Sequence, residues 1–304
     1  MSYHTPVLLN ACIDGLDINP SGTYVDVTFG GGGHSREILK HLNDQGRLFA
    51  FDQDSDAAAN VPDDPRFTLI PLNFKFLKNS LRLQQAIPVD GILADLGVSS
   101  HQFDEGTRGF SIRFDAPLDM RMNAGQPLNA AKILTTYSEE QLRSIFNEYG
   151  ELREAGKLAR HLCNVRSDRP IKTTKQLTNL VLPFARKGQE NQFAAQVFQA
   201  LRIEVNDELG SLKQLLIQST EVLKPGGRLV VMSYHSLEDR LVKNFIRSGK
   251  FEGEAEKDLF GRTSTPFQAI TRKPIRPSEQ ELIDNTRSRS AVLRIAEFNQ
   301  WKTA

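Results

Sequence analysis

The chain has 304 residues, 39% hydrophobic and 25% charged, and its formal net charge is only +1. No apolar run approaches the roughly 18 residues that span a bilayer, and the first residues lack the basic start and apolar stretch of a signal peptide. We therefore expect a cytoplasmic globular protein of about two domains, without a membrane partner. The two cysteines, Cys12 and Cys163, fit neither a disulfide framework nor a zinc spacing, and the histidines are not clustered, so no metal site is predicted.

The first hundred residues alternate short apolar runs with helix-like segments. Strand and turn signals predict four strands, at about 23–28, 47–51, 67–72 and 89–95. After four consecutive glycines, Gly30 to Gly33, Ser35 is predicted to cap a helix. Strands and helices that alternate at this spacing indicate an α/β fold, in which helices cover both faces of a parallel sheet.

The alternation stops after residue 95. The stretch 101–129 is polar and aperiodic, and Ser138 with Gln141 then forms a capping-box pattern. Helical patterns follow at about 138–148, 151–166, 173–187, 190–203 and 206–223. The sheet resumes with strands predicted at 228–233, 267–271 and 290–296.

The gap between the fourth and fifth strands is roughly 130 residues, whereas a βαβ crossover takes about 30. We therefore predict a discontinuous sheet domain made of residues 1–104 and 206–304. An all-helical domain at 105–205 is inserted into it and is expected to recognise the substrate.

The glycines end the first strand, and Asp52 ends the second about 20 residues later. Glycines at this place let a ligand approach the backbone, and a carboxylate at the next strand end accepts hydrogen bonds from ribose hydroxyls. The pair predicts an adenosine site rather than a tight turn with a surface Asp. NAD binding needs a third Gly or Ala where this chain has Ser35 or Arg36, and the lysine of a nucleoside-triphosphate loop is missing. S-adenosylmethionine is therefore favoured over NAD.

Longer motifs add a resemblance that covers nearly the whole chain, from His4 to about Glu297. They are "HTPVLLNACIDGL", "DVTFGGGGHSREIL", "FAFDQD", "DGILADLGVSSHQFDEGTRGFSIRFDAPLDMRMN", "LKPGGRLVVMSYHSLEDRLVK" and "RSRSAVLRIAE". Together they resemble the bacterial 16S ribosomal RNA cytosine-N4 methyltransferase family. The sequence departs from the family's common pattern at Gly31, where another residue is usual, and at His101, where proline is frequent.

The resemblance implies a Rossmann-like S-adenosylmethionine-dependent methyltransferase sheet with an inserted helical domain. It also implies N4-methylation of a cytosine in the decoding centre (P site) of 16S rRNA, on the small ribosomal subunit. The donor-binding residues that it carries over are Gly32, Gly33, His34, Asp52, Phe74, Asp95 and Gln102. An apolar ring after the third strand suits stacking on adenine, although core packing is an alternative for Phe74.

Three residues are candidates for the chemistry of the acceptor. Asp95 is expected to polarise the cytosine amine, together with nearby backbone carbonyls. The segment "SYHS" follows the fifth strand, so Tyr234 is expected to stack on an extruded base and His235 to bind that base or accept a proton. The alternative is that Tyr234 and His235 only orient the following helix.

Local basic patches are the predicted RNA contacts. One lies at 262–294 and includes Arg262, Arg272, Lys273, Arg276, Arg287, Arg289 and Arg294. The insert offers Arg108, Arg113, Arg121, Arg153, Lys157, Arg160, Arg166 and Arg169, some of them paired with Glu148, Glu151 or Glu154. Because the net charge is near zero, we expect activity on the assembled small subunit rather than on free RNA.

Two other functions stay open at this point. One is an S-adenosylmethionine-dependent enzyme with another acceptor, and the other is a non-catalytic RNA-binding protein with this fold. The oligomeric state is also open, a homodimer being one option.

Overall fold

The computed structural model describes residues 6–99, 102–103, 105–254 and 265–299. His4, His101 and Arg262 lie outside the described residues. The chain divides into two compact units, one made of Met1–Gly97 and Leu209–Ala304 and the other of Val98–Glu208. The sequence placed the corresponding boundaries at 104/105 and 205/206. That 105–205 is a separate substrate-recognition domain stays a prediction.

The described part of the first unit contains a seven-stranded sheet. Its strands are β1 (Thr23–Asp26), β2 (Arg47–Phe51), β3 (Phe67–Ile70), β4 (Val89–Asp95), β5 (Leu223–Ser233), β6 (Phe267–Ala269) and β7 (Val292–Phe298). Their order is β3-β2-β1-β4-β5-β7-β6, with β1 to β5 parallel and β7 antiparallel to both neighbours. The predicted Rossmann-like α/β class is confirmed. The strand order reverses between β1 and β4, where such folds bind ligands.

Helices flank this sheet and build the second unit. They are α1 (Leu9–Leu16), α2 (Gly33–His41), α3 (Leu77–Leu83), α4 (Ala130–Thr136), α5 (Glu139–Glu148), α6 (Ala155–Asp168), α7 (Thr174–Val181), α8 (Glu190–Asn206), α9 (Glu208–Val222), α10 (Ser236–Ser248) and α11 (Glu279–Asp284). None of the helices in the described ranges is long and apolar enough to cross a membrane.

The central strands are buried on both faces because alternate residues enter two different cores. Phe49 and Ile92 pack with residues of α3, α9 and α10, whereas Leu48 and Leu93 pack with residues of α1 and α2. This period of two is that of an extended strand. Cys12 is fully buried in the second of these cores, and both cysteines are free thiols.

The prediction that Ser35 caps α2 is wrong. The helix begins at Gly33, and Gly32 stands before it in a left-handed conformation, without a side-chain cap. Ser35 is the third helical residue and is fully buried, and its hydroxyl donates to Asp26 at 2.6 Å. The left-handed glycine turns the chain into the helix three residues earlier than the Ser35 signal indicates.

The second unit has its own core, built from α4 to α8. The predicted capping box of Ser138 and Gln141 is confirmed at the start of α5. Helix α4 was not predicted, because it follows directly on the aperiodic stretch. That stretch is held by long-range hydrogen bonds: the Asn206 amide accepts from the Met122 N–H and donates to the Met120 carbonyl, both at 2.8 Å.

Candidate active site

The candidate site is built at the carboxyl ends of the parallel strands. β1 leads into the glycine loop (Gly30–Gly33), β2 into Asp52, β3 into the turn Phe74–Phe76 and β5 into Tyr234, while β4 ends on Asp95. Parallel strands end at one edge of a sheet, so residues predicted from separate motifs come to the same side of the first unit.

Three of the four glycines are required by the backbone conformation or by packing within the protein, independently of a ligand. Gly30 and Gly32 have positive φ angles of 49° and 75°, a region that side chains disfavour. A β-carbon on Gly33 would clash with the ring of Pro6, which packs on the start of α2. At Gly31, by contrast, no atom of the described residues lies within 4 Å of the place where a β-carbon would stand. The close approach predicted for a ligand is therefore made by Pro6 at Gly33, and Gly31 marks open space.

Asp52 holds the glycine loop in place through hydrogen bonds to the backbone. Its Oδ2 accepts the Gly30 N–H and its Oδ1 accepts the Asp54 N–H, both at 2.8 Å. Burial raises the pKa of Asp52 to about 6, although the two hydrogen bonds favour the charged form. Each carboxylate oxygen has more than one acceptor position, so hydroxyl groups can still donate to Asp52.

A second support of the loop was not predicted. The Arg36 guanidinium donates to the Gly31 carbonyl at 2.6 Å and to the Asn60 carbonyl at 2.7 Å. The Asn60 side chain donates in turn to the Gly30 carbonyl at 3.1 Å. In the sequence, Arg36 was noted only because it stands where an NAD-binding loop has its third glycine. No local pattern connects it to Asn60.

Asp95 is the centre of a buried polar cluster. Its Oδ1 accepts the Tyr234 hydroxyl at 2.8 Å, and its Oδ2 lies 3.7 Å from His34 Nδ1. Burial raises the pKa of Asp95 to about 6, against the opposing effects of His34 and of the Tyr234 hydrogen bond. His34 is itself buried, and its Nε2 has no hydrogen-bond partner in the described parts of the chain.

Asp26 is a further member of this cluster that the sequence did not reveal. It is buried, and it accepts hydrogen bonds from Ser35 Oγ and from the Thr28 N–H. The Thr28 hydroxyl then accepts the Asp95 N–H at 2.7 Å. Burial raises the pKa of Asp26. A carboxylate at the end of β1 thus sets the backbone position of the carboxylate at the end of β4.

Tyr234 and His235 are placed differently from one another. The Tyr234 phenol reaches Asp95, and burial followed by the Asp95 charge raises its pKa. His235 is the N-cap of α10: its Nδ1 accepts the Glu238 N–H at 3.4 Å, and its Nε2 lies 3.3 Å from Glu238 Oε1. The structure therefore brings Tyr234 to Asp95. His235 instead caps the following helix, which was the alternative interpretation for this residue.

The remaining two predicted donor residues, Phe74 and Gln102, have local packing or hydrogen-bond contacts. Phe74 is half-buried in the turn after β3 and packs against the core on the α3 face of the sheet. Gln102 belongs to the second unit, where its backbone and side chain both bond to Ser99 at 3.1 Å.

Comparison with known proteins decides the family. The chain matches the model of the MraW methylase family over residues 1–299. The chain belongs to the MraW methylase family. The resemblance read from the sequence motifs is therefore confirmed.

Curated relatives of the methylase match it over nearly the full length of both chains. One from Christiangramia forsetii is 56% identical over 97% of this chain and 98% of the relative, and one from Cytophaga hutchinsonii is 58% identical over 97% and 99%. Both are named ribosomal RNA small subunit methyltransferase H. A solved rRNA methylase from Streptococcus thermophilus shares 13% identity over 99% of both chains, with a TM-score of 0.43.

The basic residues of the methylase divide into paired and unpaired groups. Arg294 forms a two-point ion pair with Asp239, at 2.6 and 3.0 Å, and is therefore occupied. Within the segment 265–299, the exposed cations without a described ion-pair partner are Arg272, Lys273, Arg276 and Arg289. These four, rather than the whole predicted set, form the candidate RNA surface of the first unit.

The insert shows a similar division. Lys157 pairs with Glu154 as predicted, whereas Arg160 pairs with Glu139. Three other cations of the insert also have partners. Arg108 and Arg166 donate to backbone carbonyls, and Arg121 forms an ion pair with Asp119. Arg153 is exposed and has no ion-pair partner in the part of the chain that the structure describes.

Proposed function

We propose that this protein transfers a methyl group from S-adenosylmethionine to the N4 amine of a cytosine in the P site of 16S rRNA, on the small ribosomal subunit in the cytoplasm. The observation that carries the proposal is the Asp95 carboxylate, which stands at the edge of the sheet with one oxygen bound to Tyr234 and the other without a hydrogen bond from any described residue. The names of the curated relatives support a ribosomal RNA acceptor.

The residues of the glycine loop fit this donor. Asp52 offers acceptor oxygens for ribose hydroxyls, and the space at Gly31 is open. The buried Nε2 of His34 has no partner in the described chain, a situation that costs free energy unless a ligand supplies one. The proposed donor set also includes Gly32, Gly33, Phe74, Asp95 and Gln102. When bound, S-adenosylmethionine supplies a methyl group already activated by its sulfonium, so the protein's task is orientation and electrostatics.

Asp95 then acts on the acceptor. The exocyclic amine of cytosine shares its lone pair with the ring, and a carboxylate that accepts one of its N–H groups concentrates electron density on the nitrogen. Oδ2 of Asp95 has capacity for this bond, since its distance of 3.7 Å to His34 exceeds hydrogen-bonding range. The nitrogen gains the methyl carbon and loses one proton. With a pKa of about 6, Asp95 is suited to accept that proton and release it to water.

Tyr234 and His235 have secondary roles in this proposal. Tyr234 holds Oδ1 and so turns Oδ2 toward the amine. Its stacking on an extruded base stays a prediction, as does a proton-accepting role for His235, whose Nδ1 is engaged as a helix cap. The unpaired cations of the first unit, Arg272, Lys273, Arg276 and Arg289, would contact phosphates of the RNA.

Mass spectrometry of the methylated RNA tests the proposal. Purified protein, small subunits and S-adenosylmethionine are incubated, the 16S rRNA is digested, and nucleosides are compared with those of a reaction containing Asp95→Asn. We expect N4-methylcytidine from small subunits, much less from protein-free 16S transcripts, and none from the variant. A different methylated nucleoside or a methylated protein would overturn the acceptor. No binding of S-adenosylmethionine by calorimetry would favour a non-catalytic RNA-binding protein instead.

A further inference from the structure

Glu281 makes a hydrogen bond to a residue far away in the sequence. Helix α11 has Ser278 as its N-cap, and the Ser278 hydroxyl accepts the Glu281 N–H at 3.2 Å. The spacing Ser278-x-x-Glu281 is that of a capping box, in which the glutamate returns to the N-cap N–H. Here the Glu281 carboxylate accepts the Leu8 N–H instead, with an Oε1 to N distance of 2.6 Å.

Leu8 is held in an unusual backbone conformation. Its φ of 50° and ψ of 34° are left-handed, and such a conformation costs a non-glycine residue of order 1 kcal/mol or more unless its surroundings impose it. The Leu8 side chain is buried in the core that contains α1 and α2, and its carbonyl accepts the Cys12 N–H at 2.9 Å. The bond from Glu281 satisfies the N–H that this conformation turns away from the helix.

Two residues before Leu8, Pro6 lies against the glycine loop. Its ring occupies the volume that a side chain on Gly33 would take. The segment Pro6–Leu8 therefore lies between Glu281 of α11 and the first residue of α2. This contact connects α11, which lies between β6 and β7, with the loop that ends β1.

We infer that Glu281 is a positioning residue for the methyl donor: by holding Leu8, it keeps Pro6 packed on Gly33 and keeps the glycine loop in its donor-binding conformation. The inference rests on the proposed function, in that the ligand of this loop is S-adenosylmethionine. Glu281 acts through Leu8 and Pro6 and has no part in the reaction at the acceptor.

Two substitutions separate the contact from the charge. Glu281→Asp keeps the charge and remains a good residue for the first turn of a helix, but its carboxylate is one methylene too short to reach Leu8. Glu281→Gln keeps the reach and an acceptor oxygen but removes the charge. Glu279→Asp, at an exposed position in the same turn, is the matched control.

The readouts are the dissociation constant of S-adenosylmethionine by calorimetry, and KM for the donor and kcat on small subunits. For Glu281→Asp we expect the dissociation constant and KM to rise about tenfold, equivalent to about 1.4 kcal/mol, with kcat at saturating donor unchanged. Glu281→Gln and Glu279→Asp should bind the donor like the unmodified protein.

Unchanged donor affinity in Glu281→Asp overturns the inference, even where its thermal midpoint falls, because a purely structural contact would lower stability alone. A loss of donor affinity in Glu281→Gln that equals the loss in Glu281→Asp also overturns the inference, because the charge rather than the contact would then matter. Should Glu281→Asp fail to fold, Pro6→Ala decides instead: it removes the ring from Gly33 and leaves the bond between Glu281 and Leu8 in place, so an unchanged donor affinity overturns the inference. Failure of the proposed function looks different: the unmodified protein would bind the donor but produce no N4-methylcytidine.

Discussion

Replacing Asp95 by Asn is expected to stabilise the protein while abolishing methyl transfer. The pKa of this carboxyl is raised from its ordinary 3.8 to about 6, mainly by burial, so the folded state pays to keep it ionised at neutral pH. A shift of about two units corresponds to about 3 kcal/mol. Because the side chain is 24% exposed, solvent relieves part of this cost, and we expect a gain of about 1–2 kcal/mol.

The sign of the effect gives its pH dependence. A group whose pKa is raised on folding has no effect on stability well below its unfolded pKa of 3.8. Its destabilisation grows as the pH rises from there and is fully present above about pH 6. Asn can still accept the Tyr234 hydroxyl, so the geometry of the cluster is preserved. The stabilisation should therefore be present at pH 7.5 and absent at pH 4.

Thermal midpoints of the two proteins at pH 4 and pH 7.5 test this, together with single-turnover methylation of small subunits. Asp44→Asn, which removes an exposed carboxyl of the same unit, should change neither stability nor activity. Two results would refute the reasoning. One is a loss of stability in Asp95→Asn that is equal at both pH values, and the other is a methylation rate within a few-fold of the unmodified protein.

Three further predictions concern the donor loop, the pH profile and the RNA surface. Gly31→Ala should leave stability unchanged in a denaturant titration, whereas Gly32→Ala, at a φ of 75°, should cost about 1 kcal/mol or more. At saturating donor, the methylation rate should fall as pH drops below about 6, where Asp95 becomes protonated, and remain flat above it. Arg289→Ala should weaken binding to small subunits and lower the slope of log K against log salt by about 0.7–0.9 if it contacts one phosphate, and an unchanged slope would exclude that contact.

Strand ends were the most predictable features of the site. The predicted strands 47–51 and 89–95 have the bounds found in the structure, because in each a short apolar run, LFAF or ILA, is followed directly by an acidic residue. The first and third strands end two residues before their predicted ends, where the backbone turns into the loops of the site. Two predicted site residues, Asp52 and Asp95, therefore stand where the sequence put them, at one edge of the sheet.

Residues that hold the site from a distance were not predictable. Arg36 and Asn60 meet across 24 residues, and Glu281 meets Leu8 across 273. Neither pair shows a spacing that local chemistry would select, since the contacts arise only once the sheet has brought the segments together. For the same reason the sequence showed four glycines but not that Pro6 is the neighbour that Gly33 accommodates.

Asp52 and Asp95 both have a raised pKa, and they stand at the same edge of the sheet. Their contacts suit one of them to binding the donor and the other to the reaction. Both have a pKa of about 6, and in both burial is the main cause. Each oxygen of Asp52 accepts a backbone N–H, so this carboxylate is fixed in place and suited to hold a donor. Asp95 has one oxygen bound to Tyr234 and one without a hydrogen bond in the described part of the chain, which leaves it an acceptor for a reacting amine. Protonation of Asp52 should therefore raise KM for the donor, and protonation of Asp95 should lower kcat. Both changes should occur in the same pH range, near pH 6.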